Sequence, residues 1–218
     1  MKFVISLGGS LIYPKRIDWA FIKDFTKLIK KHSKNNQFVI ICGGGRLARN
    51  LQEKAPKGAT QQDLDWLGIY ATRANALALS KAFKLKERVI TDPTIKIQSK
   101  SSIIIAAGWK PGWSTDYDAV LLAKNIGAAA VINMSNIDYA YNKDPKKHKD
   151  AKPIKQTTWK SFRKLVGSKW SPGLNMPFDP IASKQAEKSK LKVIIVGKDL
   201  KNLENVLQNK KFMGTIIS

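Results

Sequence analysis

Several residue types are scarce in this chain of 218 residues, and each scarcity excludes something. The single cysteine, Cys42, makes an internal disulfide impossible and fits a reducing compartment. No apolar run reaches the roughly 20 residues that a membrane span needs. The chain enters an apparent strand at Phe3, so we expect no secretory signal. Without repeats or long linkers, one core or two closely joined lobes are expected in a cytoplasmic protein that is not bound to a membrane.

Acidic residues are also few: 16 Asp and Glu stand against 39 Lys and Arg, which gives a net charge of +23. A cationic surface of this kind could attract nucleic acid or a small anionic substrate. The lysines are spread along the whole chain, which favours ordinary solvated faces. The densest cluster, residues 142–155, contains Pro145 and Pro153 and is typical of an exposed loop.

Short apolar runs recur along the chain, and they alternate with helical patterns. Because the runs are continuous rather than alternating, they predict strands that are covered on both faces. Strands that alternate with helices predict an α/β fold, a three-layer sandwich with a mainly parallel central sheet and helices on both faces. The predicted strands are 3–7, 38–42, 88–91, 103–107, 130–134, 193–196 and 215–217.

Four helices are indicated by their caps and apolar faces. Asp18 caps a helix on which Ile22, Phe25 and Ile29 share one face, and residues 63–83 form a long Ala- and Leu-rich candidate. A third helix covers 116–128 with a stop at Gly127, and a fourth covers 179–190 with Asp179 as cap and Pro180 at the first helical position.

Glycine-rich turns follow the first two strands. "GGS" (8–10) follows the first, and "GGGRLAR" (43–49) follows the second. Three consecutive glycines indicate a close backbone approach or a positive φ at a helix start, although a tight turn alone would also explain them. Polar segments follow two later strands, at 108–116 and 135–145. In open parallel sheets the carboxyl ends of the strands meet at one edge, so the four segments predict a shared ligand site there.

The chain resembles the amino acid kinase superfamily over nearly its whole length. The resemblance rests on segments that occur in the family's order, and within the family they are most similar to archaeal-type uridylate (UMP) kinases. It implies a single amino acid kinase-like domain over 1–218, with an N-terminal acceptor-binding part and a C-terminal ATP-binding part. It also implies ATP with Mg²⁺, phosphoryl transfer to UMP giving UDP, and a hexameric homo-oligomer. The segments are 8–10, 43–49, 67–76, 108–116, 135–147 and 178–186.

The resemblance assigns residues to the two substrates. The positions that match ATP contacts are Gly8, Gly9, Ser10, Gly45, Arg49, Ser135, Tyr141 and Asp144. The positions that match UMP contacts are Gly44, Asp65, Trp109, Lys110, Pro111, Gly112, Trp113, Ser114 and Thr115. Asp65 would hold the UMP ribose, because a carboxylate can accept hydrogen bonds from two hydroxyls.

Two residues are the catalytic candidates. Phosphoryl transfer requires positioned phosphates and neutralised charge, and the forked donor of Arg49 suits phosphoryl oxygens. Asp116 would orient Mg²⁺ or a lysine, although an acid in the first turn of a helix is favourable without any catalytic role. Asp179 is explained by capping alone and is left out of the expected site. Arg46 is treated as a surface residue, and Arg73 as a contact to substrate or to a neighbouring subunit.

The sequence departs from the family pattern at several positions. Ser6 stands where many members carry a phosphate-facing lysine, and Tyr139 replaces a glycine in the turn before the ATP-side tyrosine. Trp109, Trp113 and Trp170 add bulk near the nucleotide loops.

Two alternatives remain open at this point. One is a phosphotransferase of the same fold with another small anionic acceptor. Its isopentenyl phosphate branch is disfavoured, because that branch typically has a histidine near its glycine loop, whereas the two histidines of this chain, His32 and His148, lie in lysine-rich polar segments. The other is a basic, non-catalytic nucleic-acid-binding protein on this fold, which no clustered basic and aromatic stripe supports. Nucleic acid is therefore not expected as a partner.

Overall fold

The computed structural model describes residues 1–169 and 176–218, and its centre is a seven-stranded sheet. The order across this sheet is β3-β2-β1-β4-β8-β9-β7, and β5 and β6 form a separate two-stranded ribbon. The strands are β1 (Lys2–Leu7), β2 (Gln37–Cys42), β3 (Ile103–Ala106), β4 (Ala130–Met134), β5 (Ala140–Tyr141), β6 (Pro153–Ile154), β7 (Gln156–Thr157), β8 (Val193–Val196) and β9 (Thr215–Ile217).

The first five strands across the sheet, from β3 to β8, are all parallel, as expected. At the far edge β9 runs antiparallel to β8, and β7 runs parallel to β9. Parallel alignment brings the carboxyl ends of β1, β2, β3 and β4 to one edge, which is where the loops with candidate site residues begin.

One predicted strand, 88–91, is wrong. It forms only an isolated bridge between Ile90 and Ala106. The chain turns away immediately afterwards, because Asp92 accepts hydrogen bonds from both the backbone and the hydroxyl of Thr94. Pro93, between them, has no N–H for a ladder, so the strand cannot continue.

Helices cover both faces of the sheet, as the three-layer prediction requires. The first, second, fourth and eighth helices bury apolar side chains against one face, and the fifth, sixth and seventh bury theirs against the other. The helices are α1 (Gly9–Ile12), α2 (Trp19–His32), α3 (Gly45–Glu53), α4 (Gln61–Phe83), α5 (Thr115–Ile126), α6 (Trp159–Val166), α7 (Pro180–Lys188) and α8 (Leu200–Leu207).

Local capping explains where the predicted helices begin and end. Asp18 and Asp179 accept N-terminal backbone hydrogen bonds of α2 and α7, and Gly127 ends α5 with a left-handed φ of 63°. The long helix α4 begins two residues before its predicted start, because Thr60 and Asp63 form a capping box.

Cys42 is fully buried at the end of β2, and burial raises the pKa of its thiol. The thiol therefore stays protonated, as expected for a core residue rather than a nucleophile. No described helix has the length and apolar character to cross a membrane.

Candidate active site

The two glycine-rich turns press directly against each other. A Cβ on Gly9 would lie 2.3 Å from the carbonyl oxygen of Gly43, and a Cβ on Gly45 would lie 2.3 Å from the backbone nitrogen of Ser10. Gly45 also has a φ of 57°, which residues with side chains rarely adopt. Both expected reasons for the glycines, close approach and positive φ, are therefore confirmed.

A buried amide from α4 fixes this contact. Asn75 is 2% exposed, and its Nδ2 donates to the carbonyl oxygens of Gly43 and Gly44 at 2.8 and 3.4 Å. The bond ties the second glycine turn to the long helix, so the backbone N–H groups at the start of α3 keep a fixed position.

A cavity of about 330 Å³ opens between α3, α4 and the loop that follows β3. It contains residues predicted for both the acceptor and the transferring phosphoryl group. The predicted residues that line it are Gly44, Gly45, Arg49, Asp65, Lys110, Trp113, Ser114, Thr115 and Asp116. Its other lining residues are Gly43, Ala48, Gln52, Gly68, Ile69, Thr72, Gly108, Met176 and Asp179.

The loop between β3 and α5, residues 107–114, is held by side chains that accept its backbone hydrogen bonds. The N–H of Gly108 donates to Oγ1 of Thr72 at 2.9 Å, and the N–H of Trp109 donates to Oδ2 of Asp118 at 3.1 Å. Thr72 and Asp118 are both buried. They fix the loop where it leaves the sheet.

Asp65 holds the far end of the same loop. Its Oδ2 accepts the N–H of Gly112 at 2.8 Å, and its Oδ1 accepts Nε2 of Gln61 at 2.8 Å. Gly112 has a φ of 85°. Trp109, Pro111 and Gly112 do not line the cavity themselves, but this contact places their loop along its rim.

Aromatic rings stiffen the rim. Trp113 stacks on Tyr117 with ring centroids 4.2 Å apart, and Nζ of Lys110 lies 3.9 Å from the centroid of the Trp109 ring. Trp113 and Lys110 thus present an apolar wall and a positive charge to the same opening.

Asp116 lines the cavity, and its carboxylate accepts three hydrogen bonds. Its Oδ1 accepts Oγ of Ser6 at 3.0 Å and Nδ2 of Asn133 at 3.2 Å, and its Oδ2 accepts the N–H of Asp179 at 3.3 Å. The start of α5 is thereby joined to β1, β4 and the start of α7.

Burial and like charge perturb the carboxylates around this point. Burial, together with the charge of Asp179, raises the pKa of Asp116 to about 7. Burial also raises the pKa of Asp179, against the opposing effect of a hydrogen bond from the backbone of Ala182. A perturbed carboxylate pair that lines a cavity is a functional-site signal. The described ion pairs do not include either carboxylate.

Two of the residues predicted to bind ATP, Gly45 and Arg49, line the cavity, and the others lie in the first glycine turn and in the segment that follows β4. The N–H of Gly8 donates to the carbonyl of Met134 at 2.8 Å, and a Cβ on Gly8 would lie 3.4 Å from the Cα of Ser135. The first glycine turn, Gly8 to Ser10, therefore borders the loop that follows β4. Tyr141 is half-buried in β5, and Asp144 is exposed in a turn, where its Oδ1 accepts the N–H of Lys146. The residues of the first glycine turn and of the segment after β4 do not line the cavity.

Tyr139 has no positive φ, so the turn in which it replaces glycine has an ordinary backbone. Its side chain borders a second cleft, whose lining includes four lysines: Lys155, Lys201, Lys210 and Lys211. Trp170 lies outside the described residues. Arg73 does not line the cavity; its guanidinium lies over the Trp66 ring, 5.8 Å from the ring centroid.

Sequence reasoning noted Ser6 only as a departure from the family pattern, and it did not assign Asp179, Asn133 or Thr72 to the site. Asp179 was assigned to capping alone; it does cap α7, yet it also lines the cavity and contacts Asp116. Ser6 and Asn133 interrupt apolar strand runs, which is a signal that could have identified them. Thr72 gave no such signal, because a single threonine in an alanine-rich helix does not interrupt the helical pattern.

Comparison with known proteins shows the family of the chain. The model of the amino acid kinase family matches residues 1–197. Uridylate kinases of Thermoplasma volcanium and Methanococcus aeolicus are 35% and 36% identical to the chain; the alignments cover 99% and 100% of the chain and 97% and 100% of those proteins. The crystal structure of uridylate kinase from Archaeoglobus fulgidus superposes with a TM-score of 0.87 at 32% identity over the full length of both chains. The chain therefore belongs to the amino acid kinase family.

Proposed function

We propose that the protein is a uridylate kinase, which transfers the γ-phosphoryl group of ATP to UMP and releases UDP and ADP. The observation that carries the proposal is a single cavity lined by Arg49, Asp65, Asp116 and the second glycine turn. Full-length relatives named uridylate kinase support the same reaction.

UMP would occupy the cavity with its ribose at Asp65 and its base along the rim. The Asp65 carboxylate would exchange its hydrogen bonds with Gln61 and Gly112 for bonds to the two ribose hydroxyls. Trp113, Ser114 and Thr115 would enclose the nucleoside, because they lie on the rim that the loop forms. Gly44 would contact UMP at the start of α3.

The phosphate of UMP would lie at the base of the cavity, between Arg49 and Asp116. Transfer requires the attacking phosphate oxygen and the γ-phosphorus to be held in line, with charge on the equatorial oxygens neutralised. Arg49 is exposed on α3 and lines the cavity, so its guanidinium is free to bind two phosphoryl oxygens. Backbone N–H groups at Gly45 would add further donors.

ATP would approach from the first glycine turn. Gly8, Gly9 and Ser10 would border its phosphates, while Ser135, Tyr141 and Asp144 would hold its ribose and adenine. In this assignment one domain binds both substrates, the acceptor mainly through its N-terminal part and ATP mainly through its C-terminal part. The close contact between the two glycine turns supports it, because the phosphates of both substrates would then meet.

Mg²⁺ fits this site as a companion of ATP. Asp116 and Asp179 are neighbouring carboxylates that both line the cavity, and one or two carboxylates plus substrate phosphates are a usual Mg²⁺ environment. Within residues 1–169 and 176–218 no three His, Cys, Asp or Glu side chains form a metal-binding group. When bound, the ion would neutralise phosphate charge; Asp116 and Asp179 are the residues that would face it.

A homo-oligomer, a hexamer by family resemblance, is part of the proposal. Helix α4 exposes large apolar side chains along one stripe: Tyr70 is 54% exposed and Leu77 is 56% exposed, near Trp66 and Arg73. Such a stripe suits contact with a second copy. A cytoplasmic location fits the single buried Cys42.

A panel of acceptors tests the proposed function. UMP, CMP, AMP, dUMP and small carboxylic or carbamic acids are incubated with ATP and Mg²⁺, and ADP release is measured. We expect turnover with UMP above every other acceptor. Turnover with a small acid alone would instead make the protein a family member with a different acceptor.

A further inference from the structure

Two polar side chains lie side by side within the apolar strands β1 and β4. Ser6 and Asn133 are register partners, 5% and 6% exposed. The same face of these strands otherwise carries buried valines, Val4 and Val131. Burying a hydroxyl and an amide in an apolar layer is costly unless each has a partner. The described partner of both side chains is Oδ1 of Asp116.

Building on the proposed kinase function, we propose that Ser6 and Asn133 are positioning residues that hold Asp116 for phosphoryl transfer. The Ser6 hydroxyl and the Asn133 amide both donate to Oδ1 of Asp116, at 3.0 and 3.2 Å. Oδ2 has one longer contact, the N–H of Asp179 at 3.3 Å, so it is the oxygen left to act on a ligand. Asp116 lines the cavity whereas Ser6 and Asn133 do not, so the pair acts through Asp116.

The chemistry of the pair determines what it contributes. A lysine at position 6 would bring a positive charge to the carboxylates; serine and asparagine bring hydrogen bonds alone. They fix the orientation of Asp116 and leave the negative charge of Asp116 and Asp179 for the cation that accompanies ATP. Loosening Asp116 is therefore expected to weaken MgATP binding and to slow transfer, while UMP binding at Asp65 is retained.

The test uses Ser6→Ala and Asn133→Leu, with Ser6→Thr to restore the hydroxyl. Ser80→Ala is the matched control, because Ser80 is a buried serine on α4, 8% exposed, that does not line the cavity. We expect kcat and MgATP affinity to fall about tenfold in each of the first two variants, the order expected for a hydrogen bond to a charged group. The KM for UMP should stay within about twofold of the wild type. Ser6→Thr and Ser80→Ala should behave like the wild type.

A double-mutant cycle separates positioning from general structure. MgATP affinity is measured by calorimetry for Ser6→Ala in the wild-type and in the Asp116→Ala backgrounds. If Ser6 acts through Asp116, its loss has no further effect once Asp116 is gone. Equal losses in both backgrounds would overturn the proposal, as would a lower melting temperature with unchanged MgATP affinity.

The binding cycle does not depend on turnover. A wild-type protein that binds MgATP but fails to phosphorylate UMP would refute the proposed function, and the cycle would still decide whether Ser6 positions Asp116. Ser6→Ala removes a single oxygen, so this variant remains informative if Asn133→Leu fails to fold.

Discussion

Asp118 is a buried carboxyl group whose Oδ2 holds the loop between β3 and α5. Its ionisation toward neutral pH destabilises the folded protein. Asp118 is 1% exposed; Oδ2 accepts the N–H of Trp109, while Oδ1 has no partner among the described residues. Burial is the main cause that raises its pKa from 3.8 to about 7, with smaller contributions from nearby carboxylates. Replacing the carboxylate by an amide should therefore stabilise the protein above neutral pH.

The direction and size of this change in the free energy of unfolding follow from the linkage between proton binding and folding. Because the folded state binds the proton more tightly, ionisation of Asp118 destabilises the fold, and wild-type stability falls as pH rises from about 4 to about 7. A shift of roughly 3 units corresponds to about 4 kcal/mol at pH 8 as an upper bound. In Asp118→Asn the buried amide N–H₂ has no described acceptor, which lowers the stability of the variant by about 1–3 kcal/mol. We expect a net gain of about 1–3 kcal/mol at pH 8, and a gain smaller by about 2–3 kcal/mol at pH 5.

Urea unfolding of the wild type and of Asp118→Asn at pH 5 and pH 8 measures this difference. Asp150→Asn, which changes an exposed carboxylate paired with Lys143, serves as the control and should show little change between the two pH values. An equal free-energy difference for Asp118→Asn at both pH values would refute the reasoning, since an uncharged role of Asp118 has no pH dependence in this range.

Three further predictions concern other parts of the molecule. Gly9→Ala places a Cβ 2.3 Å from the carbonyl oxygen of Gly43, so we expect about 2 kcal/mol or more of lost stability in denaturant unfolding; wild-type stability would contradict the close contact. Asp65→Ala should raise the KM for UMP about tenfold and leave the KM for ATP unchanged in steady-state kinetics; a matching rise for ATP would contradict its assignment. The hydrogen bonds from Lys31 and His32 lower the pKa of Glu204 to about 2, so Glu204→Gln should lower the melting temperature slightly at pH 7, and this difference should disappear as pH falls from about 4.5 toward 2; a difference that persists at pH 2 would contradict the charged pairing.

Local signals made much of the fold predictable. Asp18, Gly127 and the Asp179–Pro180 pair mark helix boundaries through contacts within a few residues, so the sequence alone contains the information. The strand predicted at 88–91 failed for the opposite reason. Its apolar character is real, but pairing depends on the path of the following chain, which the Asp92 turn directs away from the sheet.

The candidate site also has parts that local sequence predicts and parts that depend on contacts between distant residues. The glycine turns and the loop before α5 could be identified because sequence spacing and family resemblance both apply there. Ser6 and Asn133 are 127 residues apart in sequence, and only the strand register shows that they meet beneath Asp116. The contact of Asp179 with Asp116 was hidden because its capping role already explained the residue.

The fate of the γ-phosphoryl group of ATP tests the central claim most directly. The wild type, Asp116→Asn and Arg49→Ala are incubated with γ-labelled ATP, Mg²⁺ and UMP, and the label is followed into UDP. The account predicts labelled UDP from the wild type, and a transfer rate lower by about 100-fold or more in each variant. Label that appears only as inorganic phosphate, or labelled UDP formed equally fast by both variants, would contradict it.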